Sequence, residues 1–323
     1  MKTIAFFNNK GGVGKTTLVY HLAWMMTKLG KRVVVVDLDP QANLTAMFLE
    51  ETRLEEIWAE ETSSKATIMG ALRPIVKGVG DIETAHVEPL TDTLALIPGE
   101  LGLAQFEGDL SESWGKCLDG REPAFRTTSS FHRIIQAAGE RNQSDVALVD
   151  VGPNLGAINR AALIAADAIV VPLAPDLFSL QGLRNLGPTL ERWRHEWETR
   201  VKSNPEPSLS LPRGTLSVLG YVVQQFGTRD NRPVKAYERW ARKIPATYQR
   251  HVLRDGSTTP TDPDPHCLGM LKHYRSLMPL AMDAHKPVFD LKPADGAIGA
   301  HSYAAQESAK EFSALASAIL SKA

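Results

Sequence analysis

Cysteine is scarce in this chain. Among 323 residues there are only two, Cys117 and Cys267, and they stand far apart in the sequence. Neither has a second cysteine or a histidine at the spacing of a metal site, and one distant pair does not make a disulfide framework. The sequence therefore argues against a small disulfide-stabilised fold and against a zinc site, and it fits a reducing cytoplasm.

Long hydrophobic runs are also missing. No segment approaches the ~20 consecutive apolar residues that a membrane-spanning helix needs. Near the N-terminus the apolar stretch is only about four residues long and leads into a glycine-rich loop, which is unlike a secretory signal. The alanine-rich segment Ser302 to Ala323 lacks the basic face of a membrane-surface helix. We therefore expect this last helix to pack on the domain, with no membrane partner.

The net charge of −1 is small, but it is the sum of two opposite parts. Residues 1–150 carry 15 Lys and Arg against 21 Asp and Glu, a balance of −6. Residues 184–254 carry 14 against 6, a balance of +8. A charged stretch is usually a solvated surface, so the basic part acquires a functional meaning only if a site gives it one.

Short runs of Val, Ile and Leu alternate with helical patterns such as Thr16 to Leu29 and Leu180 to Trp197. This alternation predicts an α/β fold with a doubly wound, mostly parallel sheet and helices on both faces. We expect one domain over residues 1–323, with a basic helical elaboration and a mobile loop at about 228–285. The predicted strands are Thr3 to Phe7, Arg32 to Asp37, Asp145 to Asp150, Ala168 to Pro172 and Leu216 to Val223.

A glycine-rich loop follows the first predicted strand and opens a helix, which is the context of a phosphate-binding P-loop. Its glycines let backbone N–H groups approach phosphate oxygens closely, and the helix N-terminus attracts negative charge. Lys15 is expected to reach the β and γ phosphates, the Thr16 hydroxyl to bind Mg²⁺, and Thr17 to donate to the α-phosphate. The loop consists of Lys10, Gly11, Gly12, Val13, Gly14, Lys15, Thr16 and Thr17.

This loop departs from the ordinary Walker A pattern at its start. Asn9 stands where a glycine is usual, and a second lysine, Lys10, follows it. The resulting sequence, KGGVGKTT, is the deviant Walker A form, which is far more specific than a lone GxGxxG.

Two further predicted strands end in carboxylates. One strand leads to Asp37 and Asp39, and another ends at Asp150. Because ligands of doubly wound sheets bind at the carboxyl ends of the strands, these acids should lie beside the phosphates. Asp39 is the better candidate to hold the attacking water, and Asp37 the better candidate for a structural role. Asp150 has the strand-end position that Mg²⁺ and its waters require in a P-loop ATPase.

Four segments in this order resemble the ParA family of partition and positioning ATPases: KGGVGKTT, VDLDPQANLT, LVDVGPNLG and AADAIVVPLAPDLFSLQGL. The likeness covers roughly residues 1–235, and departures within these segments indicate a divergent member. The resemblance implies an ATP-dependent homodimer in which Lys10 crosses to the partner's nucleotide. It also implies water positioning by Asp39, and Mg²⁺ binding by Thr16 with Asp150 and Asp39. Gln224 would then serve at the adenine edge.

The expected function is that of an Mg-dependent ATPase that dimerises on ATP, binds DNA without sequence preference and is released when a partner protein triggers hydrolysis. The basic half of the chain supplies the charge that a DNA surface needs. DNA binding would make this cytoplasmic protein nucleoid-associated. The DNA-binding candidates are Arg229, Arg232, Lys235, Arg239, Arg242 and Lys243.

One alternative stays open at this point, a nucleotide-dependent adaptor or switch in another multi-gene system, without DNA partition. Slow ATP turnover would look similar in the sequence. A membrane-positioning relative is disfavoured because the C-terminal helix is not basic, and a cluster-carrying relative because the two cysteines are scattered.

Overall fold

The structure of this protein is a computed structural model. It describes residues 1–59, 63–226, 228–229, 232–233, 235–256, 261–274 and 276–323. Within these ranges, the side chains of residues 63–64, 225–226, 228–229, 232–233 and 235–237 are not described. Within the predicted elaboration and loop at about 228–285, residues 230–231, 234, 257–260 and 275 lie outside the described part.

The main sheet has eight strands, in the spatial order β10-β7-β6-β1-β5-β2-β4-β3. Every neighbouring pair is parallel except the short antiparallel pair of β3 with β4, and β8 pairs separately with β9. In chain order the strands are β1 (Lys2–Phe6), β2 (Val33–Leu38), β3 (Glu88–Pro89), β4 (Leu94–Ile97), β5 (Val146–Val151), β6 (Ala168–Leu173), β7 (Ser217–Phe226), β8 (Thr228–Arg229), β9 (Arg232–Pro233) and β10 (Cys267–Lys272).

Helices connect the parallel strands, as right-handed crossovers require. They are α1 (Lys15–Lys28), α2 (Asn43–Phe48), α3 (Glu51–Trp58), α4 (Ser63–Ala66), α5 (Ile68–Val76), α6 (Phe106–Lys116), α7 (Glu122–Thr128), α8 (Ser130–Arg141), α9 (Ala157–Ala165), α10 (Leu177–Val201), α11 (Lys235–Ala241), α12 (Ile244–His251), α13 (Leu277–Asp283) and α14 (Ala300–Lys322). Short 3₁₀ turns cover Leu101–Gln105, Val288–Asp290 and Pro293–Asp295.

The sheet separates two apolar cores. Successive side chains of a strand point to opposite faces, so in β1 Ala5 packs with α8, α9 and α10, whereas Ile4 and Phe6 pack with α1 and α14. All of these strand side chains are fully buried. The two-sided burial explains why the strands read as continuous apolar runs rather than as alternating patterns.

The predicted fold class is confirmed, and the ends of the five predicted strands differ from the observed ones by at most three residues. The sequence analysis did not find β10, which extends the sheet beyond β7. This edge strand reads CLGMLK, and only Leu268 and Leu271 in it are buried, so it lacks the apolar run that marked the others. The single-domain organisation stays a prediction.

The candidate site residues lie at the carboxyl ends of the central strands. The register pairs Asp150 of β5 with Phe6 of β1 on one side and with Asp37 of β2 on the other. The glycine-rich loop therefore leaves the sheet directly beside two strand-end carboxylates. This is the edge at which doubly wound sheets bind ligands.

Candidate nucleotide site

The loop between β1 and α1 turns through Gly12 and Gly14, whose φ angles of 74° and 82° lie in the left-handed region that favours glycine. Gly14 precedes the first residue of α1, and no side chain caps that helix end. The first N–H groups of α1 are therefore available to an anion. A cavity of about 480 Å³ opens above the loop, and its walls include residues 10–17, Asp39 and Pro153.

Lys15 and Thr16 line this cavity and form a hydrogen-bonded group with Asp150, which is buried next to them. Lys15 Nζ donates to Asp150 Oδ1 at 2.7 Å, and Thr16 Oγ1 donates to Asp150 Oδ2 at 2.7 Å. Asp150 is fully buried, and Lys15 is 7% exposed. Burial raises the pKa of Asp150, whereas the charge of Lys15 opposes the rise. Lys15 is thus the counter-charge of a carboxylate that would otherwise be costly to bury.

Asp37 is bound to the segment that follows its own strand. Its Oδ2 accepts hydrogen bonds from the backbone N–H and the hydroxyl of Thr45, both at 2.8 Å, and its Oδ1 accepts from the N–H of Asp39 at 3.2 Å. Burial, and next the charge of Asp150, raise the pKa of Asp37 to about 7. These bonds fit the structural role that the sequence suggested for Asp37.

Asp39 lies in the wall of the cavity above the glycine-rich loop, and it is 6% exposed. Its Oδ1 accepts a hydrogen bond from the N–H of Gln41 at 3.0 Å, and its carbonyl accepts from the N–H of Ala42 at 2.8 Å. The turn closes through Ala42, which has a φ of 51°. The carboxylate is therefore held at the cavity by a tight turn of its own chain.

Lys10 lies at the rim and is tied to the start of α10. Its Nζ forms an ion pair with Asp176 and lies 5.9 Å from the ring centroid of Phe178, which is 71% exposed. Asp176 also caps α10, because its Oδ1 accepts from the N–H of Ser179 at 2.8 Å. Lys10 is thus held by contacts within its own chain.

Gln224 lies near the end of β7 and is 6% exposed. Its Nε2 is buried and has no hydrogen-bond partner in the described part of the chain. Such an unsatisfied donor in a protein interior calls for a ligand or a water. The position is compatible with the predicted adenine contact, which stays a prediction.

Three of the predicted DNA-binding residues, Arg239, Arg242 and Lys243, are exposed around α11 and the start of α12. Arg242 pairs with Glu238, and both Arg239 and Lys243 lie over the ring of Trp240, with 5.2 and 5.0 Å to its centroid. The structure therefore presents a small basic surface there. For the other three candidates only the backbone is described: Arg229, Arg232 and Lys235.

The structure brings the loop, Asp39 and Asp150 together at one end of the sheet, and the roles that the sequence suggested for them stay predictions. Sequence reasoning missed the part played by Thr45 and the pairing of Asp176 with Lys10. A signal for Asp176 existed, because an Asp three residues before Ser179 at a helix start is a capping pattern. For Thr45 the sequence carries no such signal.

The oxygen atoms of Thr16 and Asp150 are suitable ligands for Mg²⁺. This ion prefers oxygen ligands and usually takes only one or two from the protein, with waters and phosphates completing its shell. The Thr16 hydroxyl and the Asp150 carboxylate supply such oxygens. In the described ranges, no cluster of three or more His, Cys, Asp or Glu could hold a metal by itself. Across those ranges there is also no helix whose length and apolar character would let it cross a membrane.

Comparison with known proteins places the chain in a family. The family model described as an AAA domain matches residues 1–203. A putative replication protein A of Rhizobium rhizogenes is 32% identical over 239 residues, which are 70% of this chain and 55% of that protein. The chromosome partitioning protein ParA of Caulobacter vibrioides is 27% identical over 202 residues, 62% of this chain and 67% of that protein. The chain thus spans little more than half of the first relative.

Solved structures give the same fold. A Corynebacterium diphtheriae protein matches with a TM-score of 0.71 at 28% identity, over 88% of this chain and 97% of that one. A putative plasmid partition protein of Borrelia burgdorferi, bound to AMPPNP, matches with a TM-score of 0.60 at 18% identity, over 100% and 99% of the two chains. Together with the glycine loop and the strand-end carboxylates, these matches show that the chain belongs to the ParA family of P-loop ATPases.

Proposed function

We propose that this protein binds and hydrolyses Mg-ATP, forms an ATP-dependent homodimer and binds DNA without sequence preference, in DNA partition or cargo positioning. The observation that carries the proposal is the grouping of Lys15 and Thr16 around the buried Asp150, below a glycine loop with open N–H groups. The nucleotide in the Borrelia relative and the partition role in the name of the Caulobacter relative support it.

Different residues of the loop bind different phosphate groups of ATP. Backbone N–H groups of Gly11 to Gly14 cradle the phosphate oxygens, Lys15 holds the β and γ phosphates, and Thr17 donates to the α-phosphate. When ATP enters, the Lys15 ammonium exchanges part of its contact with Asp150 for the phosphates. Gln224, whose Nε2 lacks a partner among the described residues, would donate to the adenine edge.

Hydrolysis rests on positioning and charge. Thr16 and Asp150 would hold Mg²⁺, with Asp39 nearby, and the bound ion supplies positive charge at the γ-phosphate. Asp39 orients the attacking water from the cavity wall, where its carboxylate already has a fixed direction. Because phosphoryl transfer asks for little covalent chemistry from the protein, such placement is the main catalytic contribution.

Dimerisation would complete the site. Lys10 stands at the rim, where it can leave Asp176 and reach the nucleotide of a second copy. There its charge would stabilise both the dimer and the transition state. An activating partner protein would act on this assembled form.

The DNA surface would lie on the basic side formed by α10, α11 and α12. Besides the exposed Arg239, Arg242 and Lys243, α10, α12 and the segment after α12 enclose a cavity of about 240 Å³, whose lining includes Arg184, Arg250 and Asp255. Phosphates bind such arginine groups through charge-assisted hydrogen bonds that do not read bases. A dimer would join two such surfaces, and DNA binding would associate the protein with the nucleoid.

The decisive experiment measures binding to two unrelated DNA duplexes over a salt series, with ATP and with ADP. We expect binding with ATP only, little sequence preference, and a fall in log K of roughly 0.9 per phosphate contact per log unit of salt. The double variant Arg239→Glu with Arg242→Glu should bind weakly while hydrolysing ATP at the wild-type rate. A wild type that never binds DNA with ATP would contradict the proposal and favour a nucleotide-dependent adaptor.

A further inference from the structure

Thr45 lies at the centre of a buried hydrogen-bond chain that ends at the backbone of Asp39. The N–H of Gly99 donates to Thr45 Oγ1 at 2.8 Å, and that hydroxyl donates to Asp37 Oδ2 at 2.8 Å. Asp37 Oδ1 in turn accepts from the N–H of Asp39 at 3.2 Å. One hydroxyl therefore links the segment after β4 to the turn that carries the proposed water-holding carboxylate.

The surroundings of this chain leave it little freedom. Thr45 and Asp37 are fully buried. An added Cβ at Gly99 would lie 2.9 Å from the carbonyl oxygen of Asp37 and 3.0 Å from its Cγ, so the two strand ends touch directly. Trp58 Nε1 donates to the carbonyl of Gly99 at 3.0 Å, so Gly99 is held through both of its backbone polar groups.

The Thr45 hydroxyl acts as donor and acceptor at once, and few side chains of its size can do so. Valine has the same shape and neither capacity, so it would leave the N–H of Gly99 without its acceptor and would leave Asp37 Oδ2 with only the bond from the backbone N–H of residue 45. Serine keeps both bonds and loses only a methyl group. The pair of variants therefore separates hydrogen bonding from packing.

We propose that Thr45 is a positioning residue for ATP hydrolysis, which holds the Asp39 turn in its productive geometry through Asp37. The inference rests on the proposed function, since it assigns a role within the same reaction. Thr45 itself lies behind Asp37 and makes no contact with the phosphate loop among its described bonds. Its loss should therefore slow the chemical step and leave nucleotide binding largely intact.

The test compares Thr45→Val and Thr45→Ser with wild type, by kcat, KM, direct ATP titration and thermal unfolding. We expect T45V to lower kcat by about 10- to 100-fold, because small misplacements of a catalytic group have effects of this size. Its ATP affinity should stay close to wild type. T45S should recover most of the lost kcat. An unchanged kcat in T45V, or an equal loss in T45S, would overturn the inference.

A control variant separates positioning from general destabilisation. Thr128→Val removes another buried hydroxyl, which contacts Cys117 Sγ at 3.6 Å in a different part of the core. It should lower the unfolding temperature without lowering kcat. A kcat loss in T128V as large as that in T45V would mean that Thr45 acts only through stability.

Amide hydrogen exchange distinguishes failure of this inference from failure of the proposed function. Exchange of the Asp39 N–H should be faster in T45V than in wild type, because its acceptor Asp37 loses one of the two hydrogen bonds that hold its other oxygen. Unchanged exchange would overturn the inference even if the wild type is an active ATPase. A wild type without ATP turnover would contradict the proposed function and, with it, the catalytic role of Thr45, whatever the exchange shows.

Discussion

Lys15 Nζ donates a hydrogen bond to Asp150 Oδ1 at 2.7 Å. Both groups are almost completely buried, so each neutralises a charge that the interior would otherwise penalise. The lysine that is expected to bind the phosphates therefore also stabilises the fold. Variants of Lys15 should consequently show two effects, one on ATP and one on folding.

Lys15→Ala should abolish ATP binding, because it removes the charge that holds the β and γ phosphates. It should also lower the free energy of unfolding by about 3–5 kcal/mol, since Asp150 is left as an unpaired buried charge. Calorimetric titration and chemical denaturation measure the two effects. Adding Asp150→Asn should restore much of the stability and none of the ATP binding. Unchanged ATP affinity in Lys15→Ala would mean that the loop has another role.

Asp39→Ala should bind Mg-ATP and fail to hydrolyse it, because the group that orients water is gone while the phosphate loop is intact. Asp39→Asn is the matched control, since its side-chain oxygen can still accept from the N–H of Gln41. If the carboxylate charge is needed, both variants lose turnover. Steady-state ATPase assays with direct binding measurements decide this. Wild-type turnover in Asp39→Ala would contradict the role of Asp39, whereas wild-type turnover in Asp39→Asn alone would show that its charge is not needed.

The sequence predicted the central sheet well because its strands are buried on both faces and therefore appear as plain apolar runs. β10 was not predicted because an edge strand needs few apolar contacts, which Leu268 and Leu271 provide.

In the candidate site, too, local motifs were predicted from the sequence and long-range contacts were not. The glycine loop is a local motif, so Lys15 and Thr16 could be assigned from adjacent residues alone. The bond of Thr45 to Gly99 joins residues 54 positions apart, and that of Lys10 to Asp176 joins residues 166 apart. Contacts at such separations depend on strand order, and no spacing rule in one sequence reveals them.

Lys10→Ala should keep most of its ATP affinity and lose ATP-dependent dimerisation, because the proposed contact of Lys10 is with the nucleotide of the partner. Sedimentation velocity with and without ATP measures this. Asp176→Asn is an informative companion, since it removes the ion pair with Lys10 and can still cap α10 through its side-chain oxygen. A Lys10→Ala variant that dimerises normally would make Lys10 an ordinary rim lysine.

His21 connects the phosphate loop to the C-terminal part of the chain. Its ring is 1% exposed and stacks on Phe312 at 4.9 Å between centroids. Nδ1 lies 2.7 Å from the carbonyl oxygen of Thr17, and the N–H of Val288 donates to Nε2 at 3.1 Å. This arrangement requires the neutral ring with its proton on Nδ1, because a protonated Nε2 could not accept from Val288.

Burial lowers the pKa of His21 to about 4, against about 6.5 in an unfolded chain. As pH falls from 6.5 to 4, the unfolded state takes up a proton that the folded state does not, so stability is lost over this window and is fully present above it. The loss due to His21 should reach about 3 kcal/mol at the lower end. The variant His21→Gln has no ring that can titrate, and it should be less stable than wild type at pH 7.

Only the wild type loses stability through the titration of His21. The difference in unfolding free energy between the two proteins, measured by denaturation at several pH values, should therefore shrink as pH falls. A difference that stays constant from pH 7 to pH 4 would show that His21 titrates alike in the folded and unfolded states.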